Sequence, residues 1–109
     1  MNTNPTLVIG LAMQSAGKSG AELKPGDQDQ VELRVYPNNG AGYFFVIAKK
    51  PGRWYWKDEP RADHFRNIDQ TELDDAIQVG ARVQLTGYHG RSLVLWRTWA
   101  EFERSVKSV

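Results

Sequence analysis

The chain has 109 residues, 40% hydrophobic and 25% charged, which suits one domain spanning 1–109 with its own core. With no cysteine, disulfides and thiolate metal ligands are excluded, and a reducing cytoplasm is the expected setting. The net charge of +1 conceals a partition: residues 31–57 carry five cations against Glu32, residues 58–75 carry seven acids against two arginines, and residues 82–97 carry Arg82, Arg91 and Arg97 with no acid.

The start, MNTNPTLVIGLAMQ, lacks the positively charged n-region of a signal peptide, and no stretch approaches the length of a membrane span. Thr6 to Met13 is a near-continuous apolar run, expected as a buried first strand. Gln14 to Gln30 is polar, broken by Gly17, Gly20, Pro25 and Gly26, and is expected as a long loop. Val31 to Tyr36 alternates, with Val31, Leu33 and Val35 on one side and Glu32, Arg34 and Tyr36 on the other. That is the signature of a half-buried strand.

Pro37 to Gly42 is turn chemistry, and Tyr43 to Ala48 follows as a strand apolar on both faces. Lys50-Pro51-Gly52 either turns the chain into a new strand over 53–57 or bends one long strand. Asp58 to Asn67 reads as an irregular acidic connection. Asp69 to Ile77 predicts a helix: Asp69 is an N-cap, Glu72 stands three residues on, and Gly80 follows the end. Arg82 to Tyr88 and Ser92 to Thr98 read as strands joined through His89-Gly90, and Trp99 to Val106 as a short terminal helix.

Catalytic motifs are scarce. Ala12 to Ser19, AMQSAGKS, matches a relaxed phosphate-loop pattern, but its Gly-Lys-Ser would have to open a helix. Gly20, Pro25 and Gly26 leave no room for one, so Lys18 is expected as an ordinary loop lysine. His64 beside Asp58, Glu59 and Asp63 reads as a solvated acidic loop and not a metal site. No nucleophile and base set stands out, so the expectation is a protein that is not an enzyme and takes no cofactor or metal.

Aromatic and basic residues interleave far more densely. Trp54-Tyr55-Trp56 sits among Lys49, Lys50, Arg53 and Lys57. On a strand Trp54 and Trp56 share one face, while Arg53, Tyr55 and Lys57 share the other. If one face is core, the other shows an aromatic between cations, which suits base stacking and phosphate neutralisation. Tyr88, His89 and Arg91 in the last turn are expected to join that surface, and Tyr36 and Tyr43 extend the aromatic set. Trp96 is expected in the core.

The order strand, long loop, strand, strand, helix, strand, strand is that of the OB-fold. Val79 to Phe102, VGARVQLTGYHGRSLVLWRTWAEF, resembles the last hairpin of OB-fold single-stranded DNA-binding and primosomal proteins. The matching positions are Val79, Gly80, Val83, Leu85, Gly87, Leu93 and Leu95. The resemblance implies a mainly β fold, a five- to six-stranded OB-like barrel with one helix between strands three and four and a short C-terminal helix. It also implies binding of single-stranded nucleic acid, DNA above RNA, in replication or recombination. Strands two and three would form the face, with the loops Gln14 to Gln30 and Tyr88 to Arg91 flanking it. A homodimer is a further expected partner, because barrels with edge strands commonly pair. The alternative is a small protein-interaction module, an inhibitor or adaptor, with the aromatic patch as its hot spot. The acidic stretch 58–75 favours that alternative, since like charge repels nucleic acid.

Overall fold

The alternation in VELRVY sets the frame of the fold. In a computed structural model, which describes residues 5–26, 30–38, 42–47, 53–57, 65–78 and 80–107, strand β1 covers Glu32–Tyr36. Leu33 and Val35 are buried, while Glu32, Arg34 and Tyr36 are half-buried on the opposite face. On one side β1 pairs antiparallel with β2 (Tyr43–Ile47), with Val35 opposite Phe44 and Leu33 opposite Val46. On the other side it pairs with β5 (Arg82–Thr86), with Val35 opposite Val83 and Leu33 opposite Leu85. The apolar rows therefore align across three strands.

The chain turns after β2. Strand β3 (Tyr55–Lys57) pairs back on it antiparallel, with Phe45 opposite Tyr55, so 43–47 and 55–57 are separate strands and not one bent one. Strand β4 (Phe65–Asn67) pairs on β3, and β6 (Ser92–Trp96) pairs on β5 through a bulge near Leu85 and Thr86. The sheet order is β4-β3-β2-β1-β5-β6. The described residues thus form a mainly β fold, with six antiparallel strands and three α-helices, but the sheet is open, with β4 and β6 as its edges.

The expected barrel fails for a local reason. Thr6 to Met13, expected as its first strand, belongs to helix α1 (Pro5–Lys18). Pro5 occupies the first turn, where its missing N–H costs no hydrogen bond. Val8, Ala12, Ser15 and Ala16 then recur at helical spacing and are all buried. The buried stripe runs on through Ser15 and Ala16, inside the stretch expected as loop. A mostly apolar run of eight residues alone fits either a strand or a helix, and the total length decides. With that segment helical, no strand is left among the described residues to join β4 to β6.

Helix α2 (Gln70–Gln78) occupies the expected stretch but follows the fourth strand, because Phe65–Asn67 is strand and not irregular chain. Asp69 caps it: the Glu72 N–H donates to Asp69 Oδ1 at 2.9 Å. The Glu72 carboxylate turns instead to Arg66, whose Nη1 donates to both its oxygens at 3.0 and 3.2 Å. Leu73 is the buried anchor of α2. Gly80 ends the segment at φ +84°, and a Cβ there would stand 2.9 Å from Asn38 Nδ2.

Helix α3 (Trp99–Lys107) buries Phe102 and Val106 and packs on both α1 and the β5–β6 end of the sheet. The Ser15 and Ser105 hydroxyls hydrogen-bond between α1 and α3. The main core lies between the helices and one sheet face, joining Val8, Leu33, Val46, Trp54, Leu85 and Phe102. Fully burying a side chain such as Leu33 or Phe102 contributes about 1.5–3 kcal/mol. No helix among the described residues is long and apolar enough to cross a membrane.

Candidate functional site

With one face of the sheet against the helices, the strand period of two assigns the other face. It carries Arg34 and Tyr36 from β1, Tyr43 and Phe45 from β2, Tyr55 and Lys57 from β3, and Phe65 from β4. Register brings them together: Tyr43 stands opposite Lys57, Phe45 opposite Tyr55, and Lys57 opposite Phe65. β1 supplies Arg34 opposite Phe45 and, on its other side, Tyr36 opposite Arg82 of β5.

The result is a continuous array of rings. Centroids of Tyr36 and Tyr43 are 5.2 Å apart, and those of Tyr43 and Phe45 are 5.9 Å apart. Phe45 lies near-parallel to Tyr55 at 5.6 Å and edge-on to Phe65 at 5.3 Å. Tyr43 and Phe45 are covered by their neighbours, whereas Phe65 is 53% exposed and Tyr55 half-buried. Phe45, Ile47, Tyr55 and Phe65 line an apolar slot of about 110 Å³.

Cations sit over these rings. The Arg34 guanidinium lies 4.9 Å from the Tyr43 centroid and that of Arg82 lies 5.4 Å from Tyr36. The Lys57 ammonium lies 6.0 Å from Tyr43 and 5.3 Å from Phe65. Such contacts contribute about 0.5–1 kcal/mol each where partly exposed and orient the charge. Arg34 is further held by Glu32, with Nε to Oε1 at 2.8 Å. Burial pulls the Arg34 pKa down, but its bonds to Glu32 and Tyr36 outweigh this and leave it raised. Burial pushes the Tyr43 hydroxyl up, helped by the Glu32 charge, so that ring stays neutral. The Tyr36 hydroxyl donates to Gln84 Oε1 at 3.1 Å, which fixes the ring at the β1–β5 boundary.

The charge partition in the sequence becomes a partition in space. The sheet face carries Arg34, Lys57 and Arg82 against Glu32, while α2 carries Glu72, Asp74 and Asp75 with no base.

The sequence-derived candidates divide as follows. Tyr55 and Lys57 stand on the open face, and Arg53 is exposed just before β3. Trp54 is 6% exposed in the core, and Trp56 packs on Phe44 at 4.4 Å, so both turn to the helix side. Tyr88 is exposed on a short 3₁₀ turn, Tyr88–Gly90. Arg91 donates from Nη2 to the Glu22 carbonyl at 3.1 Å. That turn leaves β5, three strand spacings or roughly 14 Å from β3, so the expected union of Arg91 with Tyr55 is not formed. Lys49, Lys50 and His64, and the side chain of His89, lie outside the described residues. Gly17-Lys18-Ser19 closes α1 instead of opening a helix, with Ser19 Oγ donating to the Ser15 carbonyl at 2.9 Å. A phosphate there would meet carbonyl oxygens and the negative end of the helix dipole. Among the described residues no group of three His, Asp or Glu could hold a metal ion.

Sequence reasoning left Arg34, Phe45, Phe65 and Arg82 out of the candidate set. A signal existed for Arg34, which shares the outward side of VELRVY with Tyr36. In YFFVI, Phe45 must oppose Phe44, so one of the two leaves the core. For Phe65 there was none, because its place depends on pairing with β3.

No protein-family model matches the chain, and neither the curated proteins nor the solved structures contain a match to it.

Proposed function

We propose that the open sheet face binds single-stranded nucleic acid, as an accessory to replication or recombination. The observation that carries this reading is the segregation of an aromatic array with Arg34, Lys57 and Arg82 onto the face opposite the helices. Bases stack on Tyr55 and Phe65 and enter the apolar slot over Phe45, while Lys57, Arg82 and Arg53 meet phosphates. The slot walls are largely apolar, so stacking, and not a hydrogen-bond code, governs base choice. Acidic α2 lies on the helix side, where its charge does not oppose the strand.

A second reading, a protein-interaction module, draws on Phe65 and Leu95, each 53% exposed. Arg34 and Lys57 set over rings favour a polyanion over a neutral protein surface.

The deciding experiment is fluorescence anisotropy of a labelled oligothymidine titrated with protein at several salt concentrations. The expected log–log slope is about −2, at about 0.7 for each of three phosphate contacts. Duplex of the same length should bind more weakly. No affinity at low salt overturns the proposal.

A further inference from the structure

The helix side of the molecule holds a cavity that the sheet face does not use. It has a volume of about 570 Å³ and lies where α1, α2 and α3 meet the start of β3. Leu73 and Ile77 give it aliphatic walls, Trp54 and Trp99 aromatic ones, and Asp74 and Glu103 carboxylates. Among the described residues no lysine or arginine lines it. Gln70 donates to Asp74, and the exposed Lys107 reaches Glu103 at 3.3 Å. Among the described residues, Trp54 Nε1 is the buried side-chain polar atom without a hydrogen-bond partner.

We propose that the cavity binds a small organic cation, an ammonium group carried on an apolar or aromatic body. Three features converge on that chemistry. Trp faces attract cations more strongly than other rings do. Two carboxylates with no lining base make a negative pocket, which disfavours phosphates and carboxylates. Leu73, Ile77 and the indole rings supply the apolar surface that buries the body of a small ligand. The site is independent of the nucleic-acid reading, since it lies on the other side of the sheet and shares none of its cations.

The test uses the full chain, labelled with ¹⁵N, and two probes of nearly equal shape: phenethylamine, charged at neutral pH, and neutral 2-phenylethanol. Phenethylamine should shift the indole N–H resonances of Trp54 and Trp99 saturably, each assigned with its Trp→Phe variant. The alcohol should bind about three- to fivefold more weakly, the worth of a partly exposed ion pair. Asp74→Asn combined with Glu103→Gln should shrink that difference to the part the Trp faces supply, without altering binding of the alcohol. If the double variant does not fold, each single substitution should reduce the difference. Absence of saturable shifts, equal binding of the two probes, or a preference undiminished by loss of both carboxylates each overturns the proposal.

Discussion

Phe45 and Tyr55 face each other across the β2–β3 ladder with centroids 5.6 Å apart and ring planes 28° apart. Phe45 is 4% exposed beneath its neighbours, so Tyr55 is the ring that water, or a base, can reach. Tyr55→Ala should therefore weaken single-strand binding by about 1–3 kcal/mol, the worth of one stacked base. The salt slope should stay the same, because no phosphate contact is lost. A changed slope with unchanged affinity would assign Tyr55 another role.

Lys57 and Arg82 stand at opposite ends of one row, over Phe65 and over Tyr36. Replacing either by Gln should lower the magnitude of the salt slope by about 0.7, and replacing both by about 1.4. Affinity should fall for every base sequence alike. A loss confined to one sequence would instead point to base readout.

The cap of α2 rests on one bond from the Glu72 N–H to Asp69 Oδ1. Asp69→Ala should cost about 0.5–2 kcal/mol in urea unfolding, and Asp69→Asn much less, because the amide oxygen can still accept. Equal losses for the two variants would mean that charge, and not the cap geometry, is what matters at this position.

At Gly80 two constraints coincide, a φ of +84° and a 2.9 Å approach of Asn38 Nδ2 to the place of a Cβ. Gly80→Ala should destabilise by about 1–2 kcal/mol from the left-handed backbone alone. Adding Asn38→Ala to Gly80→Ala should recover only the part due to crowding. Thermal melting of Gly80→Ala, Asn38→Ala and the double variant separates the two contributions.

Much of the sheet was readable in sequence because its signals are local. VELRVY alternates strictly, and Asp69 with Glu72 and Gly80 brackets a helix whose ends the structure places within a residue or so. Parity alone put Tyr55 and Lys57 on the face opposite Trp54 and Trp56. The misreading lay in TLVIGLAM, where a short apolar run satisfies both periods. Small residues, Ala12, Ser15 and Ala16, carry the helical stripe without looking hydrophobic. Phe65 and Arg82 entered the site only through cross-strand pairing, which no single segment encodes. The separation of Arg91 from Tyr55 has the same origin, since strand order is a property of the whole sheet.

The hydroxyl contact between Ser15 and Ser105 joins the earliest helix to the latest one. During synthesis the ribosome releases α1 long before α3 exists. Full cover of Val8, Ala12 and Ala16 then waits for Phe102 and Val106, with the whole sheet and α2 between them in sequence. Contacts of such separation slow folding, because the intervening chain has to be ordered before they form. The last steps of core closure are therefore expected after translation has passed residue 107. In pulse-proteolysis of stalled nascent chains, protection of α1 should arrive only with α3.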